Sequence, residues 1–278
     1  NAFLLSGELA TLLSGRYVEI KMQPLSFKEY VSAYPDNNNV PALYRNYLEN
    51  SSFPGTLELE RKKDIRTYLE GIYNTILLKD IVTRKKIADP AMLQSVVEFI
   101  FDNIGNLCSS TKIANSMTSS GRKISVPTVE NYLSALIDSF IVYKVGRYDI
   151  KGKQYLETGA KYYVADIGLR YYLLGTKQTD MGHILENIVY LELLRRGNEV
   201  FIGRIGESEV DFIAINADGE SYYQVSQTVM DEQTLKRELS ALDAIKDHNP
   251  KYLLTIDYAP VTSYKGIKQL NVLEWLTN

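Results

Sequence analysis

The pattern of apolar and polar positions changes period several times along this chain, and the stretch from Gly182 to Ser226 organises the rest. It opens as a helical run that continues to Arg196 and is stopped by Gly197. Val189, Tyr190 and Leu193 share one face of that helix with a carboxylate, Glu186, at i+3, i+4 and i+7 spacing. Three strand-like runs follow: Glu199–Arg204, Glu209–Ile215 and Glu220–Thr228. Asn216-Ala217-Asp218-Gly219 separates the last two and predicts an antiparallel hairpin. Reflection through that turn sets Asp211 opposite or diagonal to Gln224 and Ser226. Downstream, Asp231–Lys246 reads as an amphipathic helix, Tyr252–Ile256 as a buried strand, and Val272–Leu276 closes the chain around Trp275.

The middle of the chain reads as helices and then a hairpin. Residues 61–85 carry Ile65, Leu69, Ile72, Ile76 and Leu77 at helical spacing, and Asp89-Pro90 ends the run. Met92–Asn106 turns Leu93, Val96, Val97, Ile100 and Phe101 inward. A short helix capped by Ser109 or Ser110 holds Ile113, Ala114 and Met117. Ser125 caps a second one, Val126–Ser139, with Pro127 in its first turn. Val129, Leu133, Leu136, Ile137 and Phe140 form its expected buried stripe, leaving Thr128, Asn131 and Ala135 outward. Two β-runs, Ile141–Ile150 and Gln154–Ala165, are joined by Lys151-Gly152-Lys153. This order is a winged-helix pattern, whose second helix would face a DNA groove.

Helix carboxylate, strand Asp, then polar-x-polar on the next strand resembles the PD-(D/E)xK nuclease-like fold. The resemblance makes Glu186 the helix acid and Asp211 the metal carboxylate, with Gln224-Val225-Ser226 in the (D/E)-x-K slot. Such chemistry needs oxygen ligands for Mg²⁺ and a cation to offset charge on the phosphate. Gln224 offers a neutral carbonyl, but Ser226 cannot replace the lysine, and no other Lys or Arg lies between Glu209 and Gln227. The hairpin alone therefore predicts a degenerate, inactive site without its cation.

At the start, Phe3–Leu13 reads as an amphipathic helix, Arg16–Met22 as a strand, and a helix begins near Pro24 with Ser26 as its cap. These elements cannot cover a sheet alone and suggest the end of a larger α/β domain. The block Leu-Leu-Ser-Gly-Glu-Leu-Ala-Thr-Leu-Leu-Ser-Gly-Arg-Tyr (Leu4–Tyr17), with Pro24-Leu25-Ser26-Phe27 after it, resembles prokaryotic AAA-type ATPases that carry a C-terminal domain of unknown function. The resemblance implies a parent protein that uses ATP and Mg²⁺, with Arg16 near a phosphate. A phosphate loop needs Gly-x4-Gly-Lys-Ser/Thr, and Gly146 to Gly152-Lys153-Gln154 has neither the spacing nor the hydroxyl. Tyr162-Tyr163-Val164-Ala165-Asp166 imitates a Walker B strand but reads better as a strand end. Tight ATP binding by this chain alone is not expected.

Composition narrows the picture further. The net charge of -3 over 278 residues excludes a uniformly basic coat, so DNA contact must come from a local patch. Lys112, Arg122, Lys123, Arg147, Lys151, Lys153 and Lys161 supply one within residues 89–180, with Thr128 and Asn131 on the exposed helix face. One cysteine, Cys108, fits a reducing cytoplasm, and no apolar run approaches a membrane span. The expected architecture is multi-domain α/β. Residues 1–88 are the remnant and helical linker of the ATPase domain, 89–180 the winged helix, and 181–278 a restriction-endonuclease-like domain with a mixed sheet. The corresponding function is the output region of an ATP-dependent switch that binds DNA or a protein partner. A Mg-dependent DNA endonuclease and a protein-interaction module without nucleic acid are the alternatives.

Overall fold

The computed structural model of the chain describes residues 20–36, 38–175, 181–258 and 262–278. The Leu4–Tyr17 block and Arg16 lie outside the described residues. The first described helix, α1 (Phe27–Ser32), starts at Ser26 through a reciprocal cap. The Glu29 N–H donates to Ser26 Oγ at 3.1 Å, and the Ser26 N–H donates to Glu29 Oε2 at 2.7 Å. Next comes α2 (Val40–Asn50), with Pro41 in its first turn and Leu43, Tyr44, Tyr47 and Leu48 buried. Phe27 meets Tyr44 and Tyr47 edge-on at 5.3 and 5.5 Å between ring centroids, so the two helices share an aromatic core.

The long helix expected over 61–85 divides in two. An α-helical part, α3 (Lys62–Asn74), continues as a π-helical segment over Thr75–Val82. Then α4 (Pro90–Asp102) begins at Asp89, so the Asp-Pro pair that ends one helix caps the next. The pair α5 (Ser110–Ser119) and α6 (Val126–Asp138) follows, with Ser109 and Ser125 as caps. Ala135 is fully buried and Phe140 is 38% exposed, reversing the expected orientation of both. On α6 the inward stripe is Val129, Tyr132, Leu133, Ala135 and Leu136.

Strands β1 (Val142–Asp149) and β2 (Gln154–Val164) form the expected hairpin. It does not stand free as a wing. Arg147, Tyr148 and Asp149 pair in parallel with Ile202, Gly203 and Arg204 of β3 (Glu199–Ile205). The sheet thus runs across the boundary expected near residue 180. Between them, α7 (Ile167–Leu174) and α8 (Met181–Arg195) cross over. Asp166, read as a strand end, caps α7 and also accepts from the Ser52 N–H and Oγ at 2.7 and 2.6 Å. Gly168 makes that contact possible, since a Cβ there would lie 2.4 Å from the Ser51 backbone.

The remaining elements complete an eight-stranded mixed sheet in the order β2-β1-β3-β4-β5-β6-β8-β7. They are β4 (Ser208–Asn216), β5 (Gly219–Ser226), α9 (Glu232–Asp243), β6 (Lys251–Thr255), β7 (Thr262–Tyr264), β8 (Ile267–Asn271) and α10 (Val272–Thr277). The β4–β5 hairpin has the register predicted from its turn, with Asn216 opposite Gly219 and Phe212 opposite Tyr223. The β7–β8 hairpin gave no clear signal beforehand. On one face of the sheet, α8 is buried from Ile184 to Leu193; on the other, Leu242 and Ile245 of the α9 segment cover Val210, Ile213 and Leu253. Among the described residues no helix is long and apolar enough to cross a membrane.

Candidate active site

The site lies where the amino end of β4 and the carboxyl end of β5 meet the first turns of α8 and the side of α9. Two ladders fix its floor. Along β3 and β4, Phe201 pairs with Ile213 and Gly203 with Val210, so Asp211 and Phe212 together face Ile202. This bulge breaks the strict alternation of β4, a common way of re-aiming a side chain. Asp211 Oδ2 then accepts the Val225 N–H at 2.8 Å, while Gln224 Oε1 accepts the Asp211 N–H at 3.3 Å. Gln224 Nε2 donates to Glu238 Oε2 of α9 at 2.8 Å. Thus Asp211 and Gln224 do meet across the hairpin, as their reflection through the turn predicts.

The expectation of a pocket without a cation is overturned by Lys161 of β2. Its ammonium donates to Glu186 Oε1 at 2.8 Å and lies 2.8 Å from Glu209 Oε1. Tyr163, two residues further along the same strand face, donates its hydroxyl to the same Glu186 oxygen. Lys161, expected in the exposed basic patch, is only 5% exposed. A hint was present in the sequence: Lys161 interrupts the run Gly159-Ala160-Lys161-Tyr162-Tyr163-Val164, and a charge in such a strand needs a partner if buried. The sequence could not say which partner. Ser226, in the slot where a lysine was sought, donates to Thr228 O at 3.1 Å.

The cleft has a volume of about 560 Å³, and its lining includes Glu186, Glu209, Asp211, Gln224, Arg237 and Glu238. Four carboxyl groups and the Arg237 guanidinium line it, and Lys161 lies buried behind, paired with Glu186 and Glu209. Desolvation and the neighbouring charge of Glu186 push the Asp211 carboxyl well above the ordinary range, more than Lys161 and the Val225 N–H pull it down. Burial opposes the Lys161 ammonium, but the charges of Glu186, Asp211 and Glu209 outweigh it and raise its pKa. Burial, and then Glu186, also raise the Tyr163 hydroxyl. Among the described residues no cage of three or more His, Cys, Asp or Glu side chains is arranged around a metal position.

The residues expected to meet nucleic acid fall on separate elements. Lys112 Nζ donates to Leu107 O at 3.2 Å, and the Arg122 guanidinium donates to Ala91 O at 3.3 Å and to Ser95 Oγ. Thr128 Oγ1 pairs with Ser125 Oγ at 2.7 Å within the cap of α6. Lys123 and Asn131 are exposed beside them. Lys151 and Lys153 are exposed at the tip of the β1–β2 hairpin, beside the β3–β4 turn that leads into the cleft.

Together these features define a mixed α/β protein whose sheet holds a lysine-bridged carboxylate cleft at one edge of its β4–β5 hairpin. Residues 41–180 match the domain of unknown function DUF8612, and the chain belongs to that family. That match includes Lys161 and stops before Glu186 and Asp211. The chain is 43% identical to an uncharacterized protein of Haemophilus influenzae, covering 99% of this chain and 69% of the relative. It is 30% identical to an uncharacterized protein of Methanocaldococcus jannaschii, MJ1544, covering 88% of this chain and 57% of the relative. No solved structure gives a significant match.

Proposed function

We propose that the cleft is a divalent-cation-dependent phosphodiesterase site acting on DNA, within the output region of an ATP-driven switch protein. The observation that carries the catalytic half is Lys161, whose ammonium joins Glu186 and Glu209 beside Asp211. It supplies from β2 the positive group that the β4–β5 hairpin lacks. The switch half, with its winged helix, restriction-endonuclease-like domain and ATPase parent, draws on the resemblance of Leu4–Tyr17 and Pro24–Phe27 to AAA-type ATPases.

The donor set suits Mg²⁺. That ion binds through oxygen, keeps several waters, and typically uses only one or two carboxylates together with substrate phosphates. Asp211 and Glu186 would hold it, and an acidic cleft with surplus carboxyl groups favours a divalent cation over a free anion. Bound there, the ion supplies Lewis-acid polarisation of the phosphate and a more acidic water. Lys161, behind Glu186 and Glu209, would offset negative charge gathering in the cleft from its buried side. Glu186 holds the Lys161 ammonium, and Tyr163 fixes the Glu186 carboxylate from below. Arg237, largely exposed on α9, reaches the cleft wall, where a guanidinium suits a phosphate oxygen.

A second reading, a nuclease-like fold retained for binding alone, draws on Gln224. Both ends of its amide are already engaged, by the Asp211 N–H and by Glu238. Supercoiled plasmid incubated with the chain and Mg²⁺ or Mn²⁺ separates the two. Nicking by the wild type that disappears in Asp211→Ala and in Lys161→Met, each verified as folded under the assay conditions, supports catalysis. No nicking with either ion, by protein whose folding is verified, overturns it and leaves the binding reading.

A further inference from the structure

The register of the sheet joins the β1–β2 hairpin tip to the cleft. Gln154 pairs with Asp149, Asp149 with Arg204, and Arg204 with Glu209, which holds Lys161. Three interstrand steps of about 4.8 Å place Gln154 roughly 14 Å from Glu209. Next to Gln154 stands Tyr155, a side chain 64% exposed to solvent yet held by other rings. Its ring meets Tyr148 edge-on at 5.4 Å and Phe201 at 5.1 Å with a tilt of 54°. Tyr148 itself lies 6.1 Å from Phe201, so the three rings form one supported group at the rim of the sheet. Lys151 and Lys153 are exposed on the adjoining turn. Asp149, the acid of the turn itself, is turned onto the backbone, accepting the Lys151 and Gly152 N–H groups at 3.0 Å each, while Glu207 is exposed on the β3–β4 turn and Glu220 acts on Tyr148. Glu157 is the exposed acid further along β2.

We propose that this tip is a docking surface for single-stranded nucleic acid, with Tyr155 stacking on a base and Lys151 and Lys153 on flanking phosphates. A braced, exposed ring loses little freedom when a base stacks on it, and every base offers a flat face, so such contact needs no particular sequence. Lysines on both sides of a tight turn complement a strand of phosphates. A duplex keeps its bases stacked on one another and offers Tyr155 no free face. Tyr155 shares with Tyr148, Gly203 and Val210 the sheet face opposite to Gln154 and Glu209, so the tip is a binding surface of its own beside the cleft.

Fluorescence anisotropy of a labelled oligothymidylate, with the full chain in EDTA at low salt, tests the surface without metal or cleavage. Tyr155→Ala should weaken binding roughly 5- to 150-fold, from the ~1–3 kcal/mol per stacked base converted at 1.4 kcal/mol per tenfold. Tyr155→Phe should keep most of the affinity, and affinity for a duplex should change little in either variant. Lys151→Ala/Lys153→Ala should flatten the slope of log affinity against log salt by about 1.4. Unchanged oligothymidylate binding by Tyr155→Ala, or no binding by the wild type, overturns the docking surface. Binding that depends on Tyr155 while plasmid is never nicked upholds the surface and removes only the catalytic reading of the cleft.

Discussion

Lys161 Nζ and Glu186 Oε1 lie 2.8 Å apart, both side chains are less than a tenth exposed, and they come from a strand and a helix on either side of the α7 crossover. That pair connects the middle of the chain to its carboxyl-terminal third. It also sets what the cleft can do.

Removing one partner leaves a buried charge without its counter-ion. Lys161→Met should therefore destabilise the protein by about 3–5 kcal/mol, because Glu186, Glu209 and Asp211 lose their shared cation. Lys161→Met/Glu186→Gln should recover part of that loss, giving a coupling energy of ~1–3 kcal/mol in a double-mutant cycle measured by urea unfolding. Additive losses would show that the pair is not coupled.

Asp166 gives a test by pH. Burial raises its carboxyl above the ordinary value, and the hydrogen bonds from Ser52 and Leu169 reverse this only in part. The folded state therefore keeps the proton to higher pH than the unfolded chain does. The resulting stability is present at low pH and is lost as pH rises from about 4 through the folded pKa. In Asp166→Asn this titration disappears. Thermal unfolding from about pH 4 to 7 should show the wild type losing ground to the variant as pH rises, and a constant difference would contradict the assignment.

Gly168→Ala probes the joint between the amino-terminal helices and α7. A methyl group there meets the Ser51 N and Cα at 2.4 Å, backbone atoms that cannot swing aside like a side chain. The expected cost is ~1–3 kcal/mol, typical of overpacking, read as a lower melting temperature. Wild-type stability would mean that the segment around Ser51 shifts freely.

Arg196 closes the other end of the molecule over Trp275, with its guanidinium carbon 4.1 Å from the ring centroid and Nη2 donating to Trp275 O at 2.6 Å. Arg196→Ala should cost ~1–2 kcal/mol. Trp275 is the sole tryptophan, so its fluorescence reports this site directly. The emission should shift to the red as the ring loses its cover, and an unshifted spectrum would count against the contact.

Much of the site was legible from local pattern. The Asn216–Gly219 turn set the β4–β5 register, and helical spacing put Glu186 on an inward face. The bulge that places Asp211 and Phe212 together against Ile202 lay beyond simple alternation. Lys161 was misplaced because a lysine in a β-run with polar neighbours on the hairpin side looks like surface charge. What reverses that reading is β1 pairing with β3, which draws the hairpin into the large sheet and Lys161 under α8. The outward placement of Ala135 failed similarly, since a helix packed on two sides buries more than one stripe.

Local residue pattern suffices for the elements that close over short separations: capped helices at Ser26, Ser109 and Ser125, and a hairpin whose turn residues accept positive φ or tight bends. The strand order and the lysine's destination are set by long-range packing. Those depend on which distant faces exclude water together, and on a buried ammonium finding carboxylates 25 and 48 residues away. Periodicity reports that a face is buried; the chain must fold before that face has a partner.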